Sequence, residues 1–375
     1  MGNTMSKFTL PATMAGVVLA GHGGLEQLHF RDDLPLPQAK PGEVLIRVGA
    51  AAVNNTDINT RIGWYSKGVT GQTNAGAEGG FVEAHDYDAS WSGIPLQFPR
   101  IQGADCCGEI VAVGEGVSPA RIGERVLVRS MQPPPGAVDP FSCITFGSEC
   151  DGSFAQYCTA QANEAFRIDS TLSDVELASF PCAYSTAENM LARAGLKAGE
   201  RVLITGASGG VGSAAVQLAK RRDAHVLAVC GSAKRAEVER LGADQVIERG
   251  ESLLAALGRD TVDVCVDLVA GPQWPELPDL LRRGGRYVVA GAIGGPLVTL
   301  DVRTLYLKDL SFFGCTAQPR EVFEDLIGYI ERGEIRPVVA KTYPLAAIVQ
   351  AQQDFTAKKY VGKLVLLPFE TAAGQ

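Results

Sequence analysis

One run constrains this chain more than any other: Val202-Leu203-Ile204-Thr205-Gly206-Ala207-Ser208-Gly209-Gly210-Val211-Gly212. A short apolar strand feeds a glycine turn, and the turn opens a helix through Ser213-Ala214-Ala215-Val216-Gln217-Leu218-Ala219-Lys220. A second strand, His225 to Cys230, follows. Ala207, Gly209 and Gly212 stand at the small-residue positions of a G-x-G-x-x-G loop, with alanine first and Ser208, Gly210 and Val211 between them. Small residues let the backbone turn tightly and approach a pyrophosphate, and the opening helix aims unpaired N–H groups at that anion. Strand, loop, helix, strand is the context the motif needs, so a dinucleotide is the expected ligand. The alternative is a glycine-rich turn that holds nothing.

At 375 residues the chain is too long for one ordinary core, so two domains are expected. Its 46% hydrophobic and 20% charged residues are a globular composition. A net charge of −8 argues against nucleic acid or an acidic membrane as partner. No apolar run reaches the roughly 18 residues of a membrane span, and no signal peptide is visible. Nine cysteines without a repeating framework then read as reduced thiols in the cytoplasm. Met1-Gly2-Asn3-Thr4-Met5-Ser6 fits the loose N-myristoylation pattern, and a frayed start is the plainer alternative.

Residues 14–165 read as short strands broken by glycine and proline, among them 43–48, 109–113 and 125–128. That pattern suggests a barrel-like β domain. From about 200 the rhythm becomes strand, helix, strand, helix, with strands near 201–205, 225–230, 245–248, 262–267 and 286–290. The alternation implies a doubly wound parallel sheet, so the fold class is α/β. An amphipathic helix is expected around Val322 to Glu331, and Lys363 to Leu367 could return to the first domain as a strand. Residues 64–99 form a long stretch without periodicity, and a loop of that length is usually functional or disordered. A second loop, 131–150, carries Pro133-Pro134-Pro135 and two cysteines.

This layout resembles the medium-chain dehydrogenase/reductase superfamily over nearly the whole chain. Asn54-Asn55-Thr56-Asp57-Ile58-Asn59-Thr60-Arg61-Ile62-Gly63-Trp64-Tyr65 is similar to the N-x-x-D-x-x-x-R-x-G-x-Y run of its zinc-independent quinone oxidoreductases. Gly103-Ala104-Asp105-Cys106-Cys107-Gly108-Glu109-Ile110-Val111 resembles their G-x-D-x-x-G-x-V. Gly284 to Gly291 and Gly362-Lys363-Leu364-Val365-Leu366 match later signatures. The resemblance implies a GroES-like β-barrel catalytic domain of residues 1–166 and 317–375, with a Rossmann domain of residues 167–316 inserted. It also implies a homodimer. The apolar last strands of the sheet, near 286–290 and 310–315, would otherwise leave a hydrophobic edge.

Zinc members of the superfamily hold catalytic metal with a cysteine, a histidine and a second cysteine. Here Asn54 and Ala104 stand at the first two positions, and only Cys182 matches the third. One thiol cannot replace the usual three protein ligands, so no metal is expected. A zinc enzyme with atypical ligands, for instance Asp105, Cys182 and His85, stays open as an alternative.

An acidic residue some 20 positions past the glycine loop would mark an NAD site. The second strand instead ends Val229-Cys230-Gly231-Ser232-Ala233-Lys234-Arg235, with no carboxylate. Ser232, Lys234 and Arg235 suit a 2′-phosphate, which makes NADPH the expected cofactor. By resemblance Arg249 lies against the adenosine end, and Thr186, Gly291, Ala292 and Ile293 lie beside the nicotinamide. Lys363 matches a cation near the pyrophosphate.

Without a Lewis acid, hydride delivery suits quinones and α,β-unsaturated carbonyls. Asn54 could bond the substrate carbonyl. Tyr65 matches the suspected proton donor of the superfamily's enoyl-thioester reductases, and as a plain aromatic wall it would serve equally well. The expected function is an NADPH-dependent quinone or enone reductase. The alternatives are an enoyl-thioester reductase, the atypical zinc enzyme and a non-catalytic NADPH-binding protein.

Overall fold

The computed structural model describes residues 9–370. The myristoylation pattern at Met1–Ser6 lies outside them. Two sheet systems divide the chain. The first is a seven-stranded sheet whose centre is Glu43–Ala52. Cys107–Val113, Tyr157–Gln161 and Lys363–Leu367 all pair with this strand in antiparallel fashion. Arg125–Val128 and Ala165–Arg167 extend one edge, and Val339–Pro344 extends the other. Leu28–Pro35, Thr13–Leu19 and Arg100–Ile101 form a smaller sheet beside it. Val44, Ile46 and Val48 are fully buried, as strand alternation requires, and so are Ala50, Ala51 and Ala52, where the curled sheet packs on both faces. The C-terminal segment thus returns as a strand to the first domain.

The second system is a six-stranded sheet in the order Gln245–Glu248, His225–Cys230, Arg201–Ile204, Val262–Asp267, Leu281–Val289, Ser311–Gly314. Every neighbouring pair is parallel. Val202, Leu203, Ile204, Val264 and Val266 have no exposed surface, because helices cover both faces. Strand order reverses between Arg201–Ile204 and Val262–Asp267, and the crevice at such a switch point is where doubly wound sheets bind ligands.

Helix Pro181–Ala194 joins the two systems. Proline opens it at a position that lacks an intrahelical acceptor anyway. Gly195 closes it at φ +58°, a left-handed backbone that glycine adopts without cost. Helix Arg320–Glu331 packs against it: Phe323, Leu326, Ile327 and Ile330 share one cluster with Met190, Leu191 and Val202. The same cluster takes in Ala50, Leu127 and Val365 of the barrel, and Phe323 meets the Phe166 ring, so the helix packs where the two sheet systems join. Its amphipathic pattern marks a buried face but does not say which sheet covers that face.

Candidate active site

The cleft opens at the switch point. Thr205 and Gly206 follow the strand Arg201–Ile204, and Gly206 turns at φ +60°. A Cβ on Gly212 would collide with the Gly206 carbonyl, so only glycine lets helix Gly210–Arg221 lie so close to the turn. The first N–H groups of a helix lack intrahelical acceptors, and Gly210, Val211 and Gly212 line the cleft. Ser208 and Gly209 face the same crevice. Ala207 does not. It has no exposed surface, and its N–H bonds Val229 at 3.0 Å, so it is a small residue behind the loop rather than a ligand contact. Asp267 fixes the opposite wall. Its buried carboxylate accepts from the Thr205 hydroxyl (2.6 Å), the Tyr287 hydroxyl (2.7 Å) and the Val269 and Ala270 N–H groups.

The cleft has two connected chambers that share Gly206, Gly209, Gly210, Ile293 and Lys358. The smaller, about 210 Å³, runs past Val229, Cys230 and Gly231 to Lys234 and Arg249. No carboxylate follows Cys230 there, as expected. Lys234 is anchored: its ammonium donates to the carbonyls of Lys358 (2.7 Å) and Tyr360 (2.9 Å). Burial and then the Arg249 charge push its pKa down. Arg249 lines the chamber, exposed. Two expected contacts do not assemble. Arg235 turns away, donating to the Val246 carbonyl at 2.8 Å and facing Glu239 one helical turn on. Ser232 is exposed and does not line the chamber. Lys358 joins this group unforeseen. It sits at φ +51° where the two chambers meet, and burial with the nearby Lys234 charge pushes its pKa down to about 8. The only hint in the sequence was Lys358-Lys359 just before the Gly362-Lys363 signature.

The larger chamber, about 760 Å³, is lined by Thr186, Gly291, Ala292 and Ile293 on the sheet side and by Asn54, Thr56 and Tyr65 on the barrel side. Thr73 donates its N–H across the cleft to the Ile293 carbonyl at 3.2 Å, so the 64–99 segment ties the two sides together.

At its floor lies a closed polar cluster. Lys363 donates to Asp105 (2.8 Å), the Val53 carbonyl (3.0 Å) and the Asn54 Oδ1. Asn54 donates from Nδ2 to Asp105 (2.7 Å) and the Ala52 carbonyl (3.1 Å). Asp105 also accepts the Cys182 N–H at 2.6 Å. Asp57 accepts the Asn54 N–H at 2.7 Å, and burial raises its pKa to about 7. Burial likewise pushes the Cys182 thiol up to about 12. Asn54 and Lys363 therefore have no hydrogen left for a ligand. This corrects two expectations. Asn54 is no free donor for a substrate carbonyl. The stem of Lys363 passes Gly210, but its ammonium faces Asn54 and Asp105 rather than a pyrophosphate. Strand pairing explains it, because Lys363–Leu367 lies against Glu43–Ala52 and delivers Lys363 to the residue that follows that strand.

Above the cluster stand hydroxyl groups. The Tyr65 hydroxyl donates to Thr56 Oγ1 at 3.3 Å, and the Trp91 indole N–H donates to the same oxygen at 2.8 Å. Burial raises the Tyr65 pKa well above its ordinary value. Thr56 Oγ1 accepts twice, so its own hydrogen is available to an acceptor in the chamber. Thr56 was missed in the sequence, because a threonine between Asn55 and Asp57 reads as an ordinary helix start.

Comparison with known proteins agrees with this geometry. Residues 40–170 match the alcohol dehydrogenase GroES-like domain, and residues 210–332 match the zinc-binding dehydrogenase domain. An acryloyl-coenzyme A reductase of Metallosphaera sedula is 30% identical, covering 94% of this chain and 99% of its own. The chain belongs to the medium-chain dehydrogenase/reductase superfamily. A quinone oxidoreductase of Lama guanicoe is 29% identical over 94% of this chain and 97% of its own. A provisionally assigned alcohol dehydrogenase from Sinorhizobium meliloti 1021 has a crystal structure that is 45% identical. It covers 96% of this chain and 97% of its own, with a TM-score of 0.85.

This member of the superfamily is thus an oxidoreductase of the two-domain kind, with a glycine loop built for a nicotinamide dinucleotide. Its metal position departs from the zinc members. By the resemblance Asn54, Ala104 and Cys182 stand at the three ligand positions, and the Lys363 ammonium already lies bonded to Asn54 and Asp105. The atypical set Asp105, Cys182 and His85 does not assemble. Among the described residues no three His, Cys, Asp or Glu side chains come together as a metal site, and His85 instead stacks on Tyr87.

Proposed function

We propose that the protein is an NADPH-dependent reductase of conjugated carbonyls and quinones. The observation that carries this reading is the self-satisfied cluster of Asn54, Asp105 and Lys363, in place of a metal's donors, beneath a Thr56 hydroxyl with a free hydrogen. Bound along the glycine loop, a reduced nicotinamide supplies a hydride. An enone takes that hydride at its β-carbon and a proton at its α-carbon, and becomes the saturated ketone. Negative charge develops on the carbonyl oxygen between these two additions. The Thr56 hydroxyl is placed to bond that oxygen, and it is polarised by the two donors behind it. A neutral hydroxyl suffices because conjugation already lowers the barrier, whereas a simple ketone lacks that help.

Lys234, Arg249 and Lys358 gather at the adenosine end with no carboxylate directly after Cys230, while the Asp354 carboxylate that also lines the chamber is bonded by Lys341 and Tyr343; this supports NADPH over NADH. A second reading, reduction of enoyl thioesters, draws on the acryloyl-coenzyme A reductase relative. The test is an NADPH-oxidation screen over quinones, enones, enals and enoyl thioesters. Turnover of enones or quinones is expected. Efficient oxidation of simple alcohols, with no activated alkene or quinone accepted, would overturn the proposal.

We further propose a homodimer. Ser311–Gly314 is an open edge of the parallel sheet, and in the segment that leads into it Leu297, Val302, Tyr306 and Leu307 are exposed apolar side chains. A monomer mass by light scattering at micromolar concentration would refute this. All nine cysteines are free, which supports a reducing compartment such as the cytoplasm. Among the described residues no helix is long and apolar enough to cross a membrane.

A further inference from the structure

A third chamber of about 710 Å³ lies between residues 91–100 and 134–149. It shares Trp91, Phe141 and Thr316 with the larger chamber of the cleft, so the two spaces are continuous. Nothing in the reductase chemistry above uses it.

Its walls mix polar residues, among them Gln97, Arg100, Ser142 and Glu149, with several large apolar side chains. Trp91, Ile94, Leu96, Phe141 and Ile144 face it. Ile94 and Phe141 are each 67% exposed, an unfavourable placement for large apolar groups unless something covers them. The wall is also held in shape. Ser90 Oγ donates to the Ile94 carbonyl at 2.6 Å, and the Trp91 indole is fixed on Thr56.

The charges near the chamber have counterions or carbonyl partners within the protein. Arg100 pairs with Asp151 at 2.9 Å through one terminal nitrogen, and its buried Nε has no partner. Glu149 accepts the N–H groups of Ser92 (3.2 Å) and Thr145 (2.8 Å). Arg193, at the junction with the cleft, donates to the carbonyls of Gly314 and Ala317 and lies over the Phe141 ring. A phosphate-bearing group would find in these walls one cation, Arg100, whose charge Asp151 already offsets. A hydrocarbon or aryl group would find the apolar faces.

We propose that this chamber is the distal substrate subsite and that it takes the neutral, apolar tail of a conjugated ketone or aldehyde. This deepens the reductase reading and rests on it. The substrate class becomes the free long-chain or aryl-substituted carbonyl rather than the coenzyme A thioester. Trp91 would serve both spaces, holding Thr56 at the carbonyl end and forming the entrance for the tail.

The experiment is kcat/KM with NADPH for linear 1-alken-3-ones of increasing length, beside an enoyl thioester of matched acyl chain. We expect a rise of about threefold per added methylene until the chamber is full. Ile94→Asp, on an exposed loop, should flatten that rise. A flat series in an active wild type would overturn the subsite and leave the reductase reading standing. A thioester preferred over the free enone of equal chain would overturn the neutral-tail assignment. If no enone or quinone turns over, the reductase reading fails. Binding of saturated 3-alkanones to the NADP⁺-loaded protein, followed by tryptophan fluorescence, then decides the subsite: affinity must rise with length and lose that rise in Ile94→Asp, and length-independent affinity overturns it.

Discussion

The two ends of the cleft use lysine in opposite ways. At the barrel end Lys363 is sealed, with its three hydrogens bonded to Asp105, Val53 and Asn54 and almost no exposed surface. At the end proposed for the adenosine, Lys358, its ammonium over the Phe355 ring, and Arg249 line the smaller chamber, and Lys234 is tied down by two carbonyls. A cation sealed with its counterion shapes a site and bonds nothing that enters. A cation facing open space attracts an anion. The difference teaches that a lysine inside a binding motif is assigned by where its hydrogens go, not by the motif.

The sharpest way to break this contrast is Lys363→Met. Removing one partner leaves Asp105 buried and unpaired, which should cost about 3–5 kcal/mol of stability. Chemical denaturation would measure it. Asp105→Asn combined with Lys363→Met removes both charges and should recover most of that loss. If the single variant is as stable as wild type, the cluster is not sealed and Lys363 could still serve a ligand. The next effect is Thr56→Val, expected to lower enone turnover by about 10²–10³ while Thr56→Ser keeps most of it. Tyr65→Phe removes only one of two donors behind Thr56, so a loss nearer fivefold is expected. A loss for Tyr65→Phe as large as for Thr56→Val would make the tyrosine the donor and Thr56 its relay.

Much of this architecture is legible in the amino-acid sequence. His225–Cys230, Gln245–Glu248 and Val262–Asp267 form strands on the residues expected, because apolar runs bounded by glycine and polar turns fit few other roles in a doubly wound sheet. The glycine loop is legible for the same local reason. What is illegible depends on distant pairing. Lys363 meets Asn54 across most of the chain, through a strand register that no local pattern encodes. The hydrogen of Thr56 is freed only because Tyr65 and Trp91 both donate to its oxygen, and Trp91 lies in a stretch without periodicity. Arg235 has the sequence position of a phosphate ligand, just after the strand, yet the helix it opens points it back at the neighbouring strand.

The adenosine end can be sharpened in turn. Arg249→Ala should raise the KM for NADPH about tenfold and leave NADH nearly unchanged, since a 2′-phosphate is the only group the two cofactors do not share. Equal effects on both cofactors would move Arg249 off that phosphate. A wild type equally efficient with both would remove the NADPH assignment itself.

The smallest effect is the most diagnostic, because it follows from charge alone. Burial and the Lys234 charge push Lys358 down to about 8, from an ordinary lysine value of 10.5. Its ammonium is therefore present below pH 8 and lost as pH rises through that value. An anionic cofactor binds the charged form better, so the KM for NADPH should climb between pH 7 and pH 9. For a partly exposed ion pair the rise should be about threefold. Lys358→Met should raise KM at pH 7 by a similar factor and abolish the climb, whereas Lys358→Arg, charged throughout, should keep KM low up to pH 9. Bound phosphate favours the ammonium and moves the midpoint upward, so saturating NADPH should hide the effect in kcat. If the climb survives in Lys358→Met, another group titrates there, and the comparison between open and sealed lysines loses its clearest example.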